Sequence, residues 1–130
     1  MRLLVPILVL LITSFALAAD VSGKWTGSLE FKGEGGQTHT APAHADLKQQ
    51  NVALTGRIWK GDGQQFEIEQ GKVRGTEVSF QFRAPEGADE QVLVHAVKLS
   101  LVTPTQLQGT LQFATAGQKM SGKLTFTKGK

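Results

Sequence analysis

The sequence predicts an all-β protein, an eight-stranded antiparallel up-and-down barrel, and three observations support this fold class. Apolar and polar residues alternate with a period of two through almost all of residues 20–128, which indicates strands with one buried face. Short segments rich in Gly, Pro, Asn and Asp separate eight such runs. A glycine recurs at the centre of four runs. A closed sheet leaves no exposed edge. We favour a barrel over a two-sheet sandwich because the regular hairpin spacing needs no long crossover.

The elements follow from the parity of the apolar residues, taken in chain order. Parity is constant within each run except the fourth, where it changes near Gln70 and Gly71 and predicts a β-bulge. The predicted strands and their inward residues are 21–32 with Val21, Trp25 and Leu29; 41–49 with Ala43, Ala45 and Leu47; 52–59 with Val52, Leu54 and Ile58; 66–73 with Ile68 and Val73; 78–82 with Val78 and Phe80; 93–101 with Val97 and Leu99; 107–113 with Leu107 and Leu111; and 120–126 with Leu124 and Phe126.

The repeated glycine occurs in WTGSL, LTGRI, LQGTL and MSGKL, as Gly27, Gly56, Gly109 and Gly122. All four have inward parity. A glycine inside a strand costs about 0.5–1 kcal/mol relative to alanine, so four of them require compensation. A small closed barrel supplies it, because strands without a Cβ at these points can coil sharply and leave room for a large neighbour.

The N-terminal segment 1–18 is predicted to be a signal peptide. Arg2 precedes a nearly continuous apolar run, and Ala16-Leu17-Ala18 fits the small-x-small cleavage rule. The alternative, a membrane anchor, requires about 20 apolar residues, and this run is shorter. Cleavage leaves residues 19–130 as one domain with no membrane span, exported to the periplasm or the exterior.

Composition excludes several function classes. Loss of Arg2 lowers the net charge from +3 to +2, and the basic residues are scattered, which argues against nucleic-acid binding. The chain has no cysteine, so disulfides and thiolate chemistry are excluded. No serine has a histidine and an acid in a recognised arrangement, and no carboxylate pair faces inward. We therefore expect no enzymatic activity and no cofactor.

The start of the first strand carries the motif Gly23-Lys24-Trp25. With the eight-strand meander, this motif resembles the Gly-x-Trp signature of calycins, the group that holds lipocalins, fatty-acid-binding proteins and avidins; the length is closer to that of small exported bacterial avidin-like barrels. The resemblance implies that Trp25 plugs the closed end of the barrel. The chain has no tyrosine and no arginine after Arg83, so the second lipocalin motif and the arginine that covers the tryptophan in lipocalins have no counterpart.

A binding site is expected at the end of the barrel opposite Trp25. The meander brings the longer predicted loops, about 33–40, 60–64, 84–91 and 114–118, to that end, and loops on a rigid scaffold commonly carry function. An apolar mouth there would accept a small hydrophobic ligand; the alternative is an interior filled by side chains. The inward residues nearest these loops are Phe31, Ile58, Phe66, Phe82, Leu93, His95, Phe113 and Met120.

Three further features need interpretation: His95, Trp59, and the group of His39, His44 and Asp46. His95 interrupts an apolar run, and we favour a histidine bonded to a backbone carbonyl or water over a ligand contact. Trp59 has outward parity and fits either a protein interface, with a partner or a second copy, or a ring packed on its outer neighbours. His39, His44 and Asp46 do not converge as three ligands, so we predict no metal site. An interaction or inhibitor module of the cell envelope is the alternative to a carrier.

Overall fold

The barrel is described by a computed structural model, which covers residues 20–32, 36–86, 91–115 and 118–129. The predicted signal peptide lies outside these residues. Among the residues described, no helix is long and apolar enough to cross a membrane. The strands are β1 (Gly23–Lys32), β2 (Thr38–Gln50), β3 (Ala53–Lys60), β4 (Phe66–Glu67), β5 (Glu69–Arg74), β6 (Glu77–Glu86), β7 (Gln91–Thr103), β8 (Gln106–Thr115) and β9 (Gln118–Lys128).

The sheet closes on itself and confirms the predicted antiparallel meander barrel. Each strand pairs with its neighbour in sequence, and β1 pairs with β9 to complete the circle. The two short segments β4 and β5 together occupy the fourth of the eight strand positions around the barrel, since both pair with β3. The predicted bulge is present: the register between β5 and β6 shifts between Glu69 and Lys72, and Gln70 has a φ of 54°.

The interior contains the residues that alternation assigned to it. Trp25, Leu99, Leu107, Leu124 and Phe126 are among the largest fully buried side chains. Val52 is an exception to the prediction, because it is 64% exposed. It lies in the turn between β2 and β3, where Asn51 takes a φ of 57°, so the alternation of β3 begins only at Ala53.

Three of the four repeated glycines, Gly27, Gly56 and Gly109, allow the backbone of one strand to approach another closely. A Cβ on Gly109 would lie 1.8 Å from the carbonyl oxygen of Lys98 in β7. Gly27 and Gly56 meet carbonyl oxygens of neighbouring strands in the same way, and Gly56 also has a φ of 142°. Only Gly122 fits the prediction of room for a large neighbour, since its missing Cβ would meet the Phe31 ring at 2.9 Å.

The hairpins at the predicted site end are shorter than the sequence indicated. β2 begins at Thr38, β6 runs to Glu86 and β8 to Thr115, so residues predicted as loop extend the strands instead. The start of β2, Thr38–Thr40, is exposed and polar and carries no apolar alternation. The barrel wall is therefore taller at this end than predicted.

Candidate functional site

A cavity of about 210 Å³ lies inside the barrel at the end opposite Trp25. Its walls come from near the ends of β1, β3 and β6, where these strands enter their hairpins. The lining runs from buried Leu111 and Leu124 to exposed Lys60 and Pro85, so the cavity reaches the surface. The interior is thus not completely filled by side chains. This cavity end is called the mouth below.

A row of five aromatic rings follows the wall of the mouth across five strands. Phe82 stacks on His95 with ring centroids 4.7 Å apart and planes 11° apart. Phe66 lies beyond Phe82 at 6.2 Å and 26°. On the other side of His95, Phe113 lies at 4.6 Å, and Phe31 then meets Phe113 edge to face at 6.4 Å. Such ring pairs each add about 0.5–1.5 kcal/mol beyond area burial, so the row stiffens the wall.

His95 sits at the centre of this row and is 2% exposed. Its Nδ1 lies 3.0 Å from the carbonyl oxygen of Leu93. A carbonyl can only accept a hydrogen bond, so Nδ1 carries a proton and donates it. This is the backbone-bonded histidine that we favoured, and the same ring lines the cavity.

Most of the residues predicted for the mouth lie there together. Phe31, Ile58, Phe66, Phe82 and His95 line the cavity. Phe113 supports the lining through its contacts with His95 and Phe31. Met120, the register partner of Phe113 in β9, and Leu93 are both half-buried and do not line the cavity. The assignment of these residues to ligand binding stays a prediction.

Two features of the lining were missed by the sequence analysis. The first is the pair of alanines, Ala43 and Ala84, which are buried cavity walls. Their short side chains leave the space that larger residues would fill. The second is Lys60, which was assigned to a loop but is the last residue of β3. Its register partner is Ala43, so parity along β3 places it on the inner face. The only available signal was the parity of Lys60 with Ile58.

At the opposite end of the barrel Trp25 is buried, with 1% of its surface exposed. Its indole Nε1 donates to the carbonyl oxygen of Val21 at 2.9 Å, and the Val21 amide donates to Gln49 Oε1. The Lys128 ammonium lies 5.8 Å from the centre of the Trp25 ring, within the range of a cation–π contact. Lys128 thus lies over the Trp25 ring.

A hydrogen bond also orders residues 20–22, just before β1 at the Trp25 end of the barrel. The Ser22 amide donates to Asp20 Oδ1 at 2.9 Å. This backbone bond, with a bond from the Ser22 side chain and the nearby charge of Lys128, lowers the pKa of Asp20 below 3.8. The carboxylate therefore stays ionised and keeps its acceptor role in mildly acidic solution.

Trp59 lies on the outer wall, half-buried, as its parity predicted. Its ring stacks on the ring of His44, its register partner in β2, at 5.5 Å and 24°. The ring is therefore packed along an outward neighbour, and Trp59 also borders the mouth. Across residues 20–129, apart from the undescribed gaps, no three His, Cys, Asp or Glu residues cluster as a metal site would require.

Comparison with known proteins supports the fold alone. No family model matches the chain, and no curated protein matches it. Its structure is similar to that of EF1p2_mFAP2b bound to DFHBI, with a TM-score of 0.56. The two sequences are 11% identical, and the match covers 89% of this chain and 96% of that chain. The likeness agrees with the closed antiparallel β-barrel described above.

Proposed function

We propose that the protein is a non-enzymatic binding protein that takes one small aromatic molecule into the mouth. The observation that carries this proposal is a cavity with aromatic and aliphatic walls that reaches the surface. Binding sites for small molecules are usually preformed, concave and mostly apolar, with a few polar groups that fix orientation. Here the polar groups in the lining are His95 and Lys60.

The volume of the cavity limits the size of the ligand. Typical sites for drug-sized molecules measure about 300–1,000 Å³, so about 210 Å³ suits a smaller compound. An apolar cavity of about 150 Å³ is large enough for benzene. We therefore propose a ligand with one or two fused rings rather than a fatty-acid chain. The solved complex of the similar barrel EF1p2_mFAP2b with DFHBI supports ligand binding as a use of this fold.

The experiment fills the cavity from its own wall. Ala84 is buried in the lining, whereas Ala114 is exposed on the outer face of β8. Ala84→Phe places a ring in the cavity without adding charge, so it should abolish binding of 2-naphthylmethanol measured by calorimetry. Ala114→Phe adds the same ring outside and should leave one binding site of unchanged affinity. Thermal melts of both variants show whether each is folded.

Two results would refute the carrier proposal. One is a folded wild-type protein that binds none of a panel of one- and two-ring aromatic probes. The other is equal binding by the wild type and a folded Ala84→Phe variant, because the probe would then adhere elsewhere.

We also propose that residues 1–18 direct export and are removed, on the strength of the Ala16-Leu17-Ala18 pattern. The mature chain should begin at Ala19. N-terminal sequencing of the protein recovered from the envelope or medium of a bacterial host tests this. A chain that still begins at Met1 would contradict it.

The alternative function is protein interaction through the outer wall, with Trp59 as its anchor. The partly exposed ring beside His44 is the observation that keeps this alternative. Native mass spectrometry of the purified protein separates the two proposals. A mass increment of a few hundred daltons or less supports the carrier, whereas a dimer that Trp59→Ala dissociates supports the interface.

A further inference from the structure

We propose that the ligand of the mouth is an aromatic anion, such as an aryl carboxylate, whose rings enter the cavity while Lys60 binds the charge. This inference rests on the proposed carrier function and specifies its ligand class. It is drawn from the position of Lys60, the chemistry of the remaining lining and the arrangement of the aromatic rings.

The first step is the position of Lys60. Lys60 and Ala43 are register partners in an antiparallel pair, so their side chains leave the same face of the sheet. Ala43 is 2% exposed and faces the cavity, whereas Lys60 is exposed at its rim. The backbone there is held by two bonds: the Gly61 amide donates to Pro42 at 3.0 Å, and the Gly63 amide donates to the Lys60 carbonyl at 2.7 Å. A cation is thus anchored on the inner side of the wall.

The second step is that the described lining residues include no Asp, Glu or Arg and no lysine other than Lys60. Apart from Lys60, these residues are apolar or aromatic, with His95 as the other polar group. The His95 Nδ1 proton is already donated to Leu93. A carboxylate buried deep among such walls would lose hydration without a cationic partner, which is strongly unfavourable. At the rim it would meet the Lys60 ammonium and remain partly hydrated.

The third step is the flatness of the ligand. Three rings of the row are nearly parallel: the planes of Phe66 and Phe82 differ by 26°, and those of Phe82 and His95 by 11°. A flat ring can extend such a stack in an offset arrangement, whereas a bulky aliphatic group cannot. The combination of a flat apolar body and one terminal charge is the chemistry of an aryl carboxylate or a phenolate.

The test compares three probes that share the naphthalene ring: 2-naphthoate, neutral 2-naphthylmethanol and cationic 2-naphthylmethylammonium. In the wild-type protein we expect 2-naphthoate to bind about two- to fivefold more tightly than the alcohol, the upper part of the range for an ion pair at an exposed rim. The ammonium should bind most weakly. The preference for the anion should shrink in high salt, because exposed charges are screened.

Lys60→Gln should remove the preference for the anion and leave the affinity for the alcohol unchanged. Lys98→Gln is the matched control, since Lys98 is exposed on the outer face of β7 and the change in net charge is the same. It should preserve the preference. A wild-type protein that binds the alcohol as tightly as the anion overturns this inference and leaves the carrier function standing. A preference that survives Lys60→Gln also overturns it. Failure of all three probes to bind refutes the carrier function itself.

Discussion

Gly109 shows how one missing side chain determines the geometry of a barrel wall. Its Cα faces the Lys98 carbonyl oxygen so closely that a Cβ would lie 1.8 Å away. Because the obstacle is backbone, it cannot rotate aside as a flexible side chain could. The neighbouring Thr110 points outward and is exposed.

We therefore expect Gly109→Val to lower the free energy of unfolding by at least about 1–3 kcal/mol, the usual cost of overpacking. Thr110→Val should change it by less than about 0.5 kcal/mol, as is typical of surface positions. Urea melts of the two variants measure the difference. Equal midpoints would show that β7 and β8 do not approach each other at Gly109.

At the scale of elements, the β-bulge in β5 is an irregular part of the wall, where the register with β6 shifts between Glu69 and Lys72. Gln70 takes a φ of 54°, a region that costs a residue with a Cβ roughly 1–2 kcal/mol. A glycine there avoids that cost but loses about 0.5–1 kcal/mol of chain entropy on folding. Gln81, opposite Glu69 in the regular strand β6, provides a matched position without positive φ.

Gln70→Gly should thus stabilise the fold by up to about 1 kcal/mol, whereas Gln81→Gly should destabilise it by about 0.5–1 kcal/mol. Opposite shifts of the urea midpoint are the expected result. If both variants lose stability equally, the backbone at Gln70 is an ordinary extended strand, and the bulge is wrongly placed.

The elements also show what sequence can and cannot predict. The bulge near Gln70 was predictable because the apolar residues change there from even to odd positions along the strand. The extension of β2 back to Thr38 was not, because exposed strand ends lose the alternation that identifies a strand. The prediction that Val52 faces inward was wrong, because an apolar residue in a turn just before a strand has the same pattern as the first inward residue of that strand.

For the whole molecule, alternation and closure predicted the barrel and most of the aromatic mouth. The cavity depends on a quantity that periodicity does not report, namely the volume left unfilled. Ala43 was predicted as an ordinary inward residue and Ala84 as part of the loop 84–91, yet both line the cavity, where their short side chains leave space. Lys60 was assigned to the predicted loop 60–64, because a single lysine after Trp59 does not continue the apolar alternation of the strand.

The two ends of the barrel therefore differ in a way that matches the proposed function. At one end Trp25 is buried, donates a hydrogen bond to Val21 and lies beneath the Lys128 ammonium. The other end holds a cavity that reaches solvent. A molecule can enter only where side chains leave room. We therefore propose a single binding site, at the mouth.

The most direct test is an NMR titration of the mature chain with its alanine methyl groups labelled with ¹³C. Ala43 and Ala84 line the cavity, whereas Ala96 and Ala114 lie on the outer wall. On addition of 2-naphthylmethanol, the methyl resonances of Ala43 and Ala84 should shift through the ring current and saturate at one ligand per chain. Those of Ala96 and Ala114 should stay in place. Unchanged Ala43 and Ala84 resonances, or equal shifts at all four methyl groups, would contradict a binding site in the mouth.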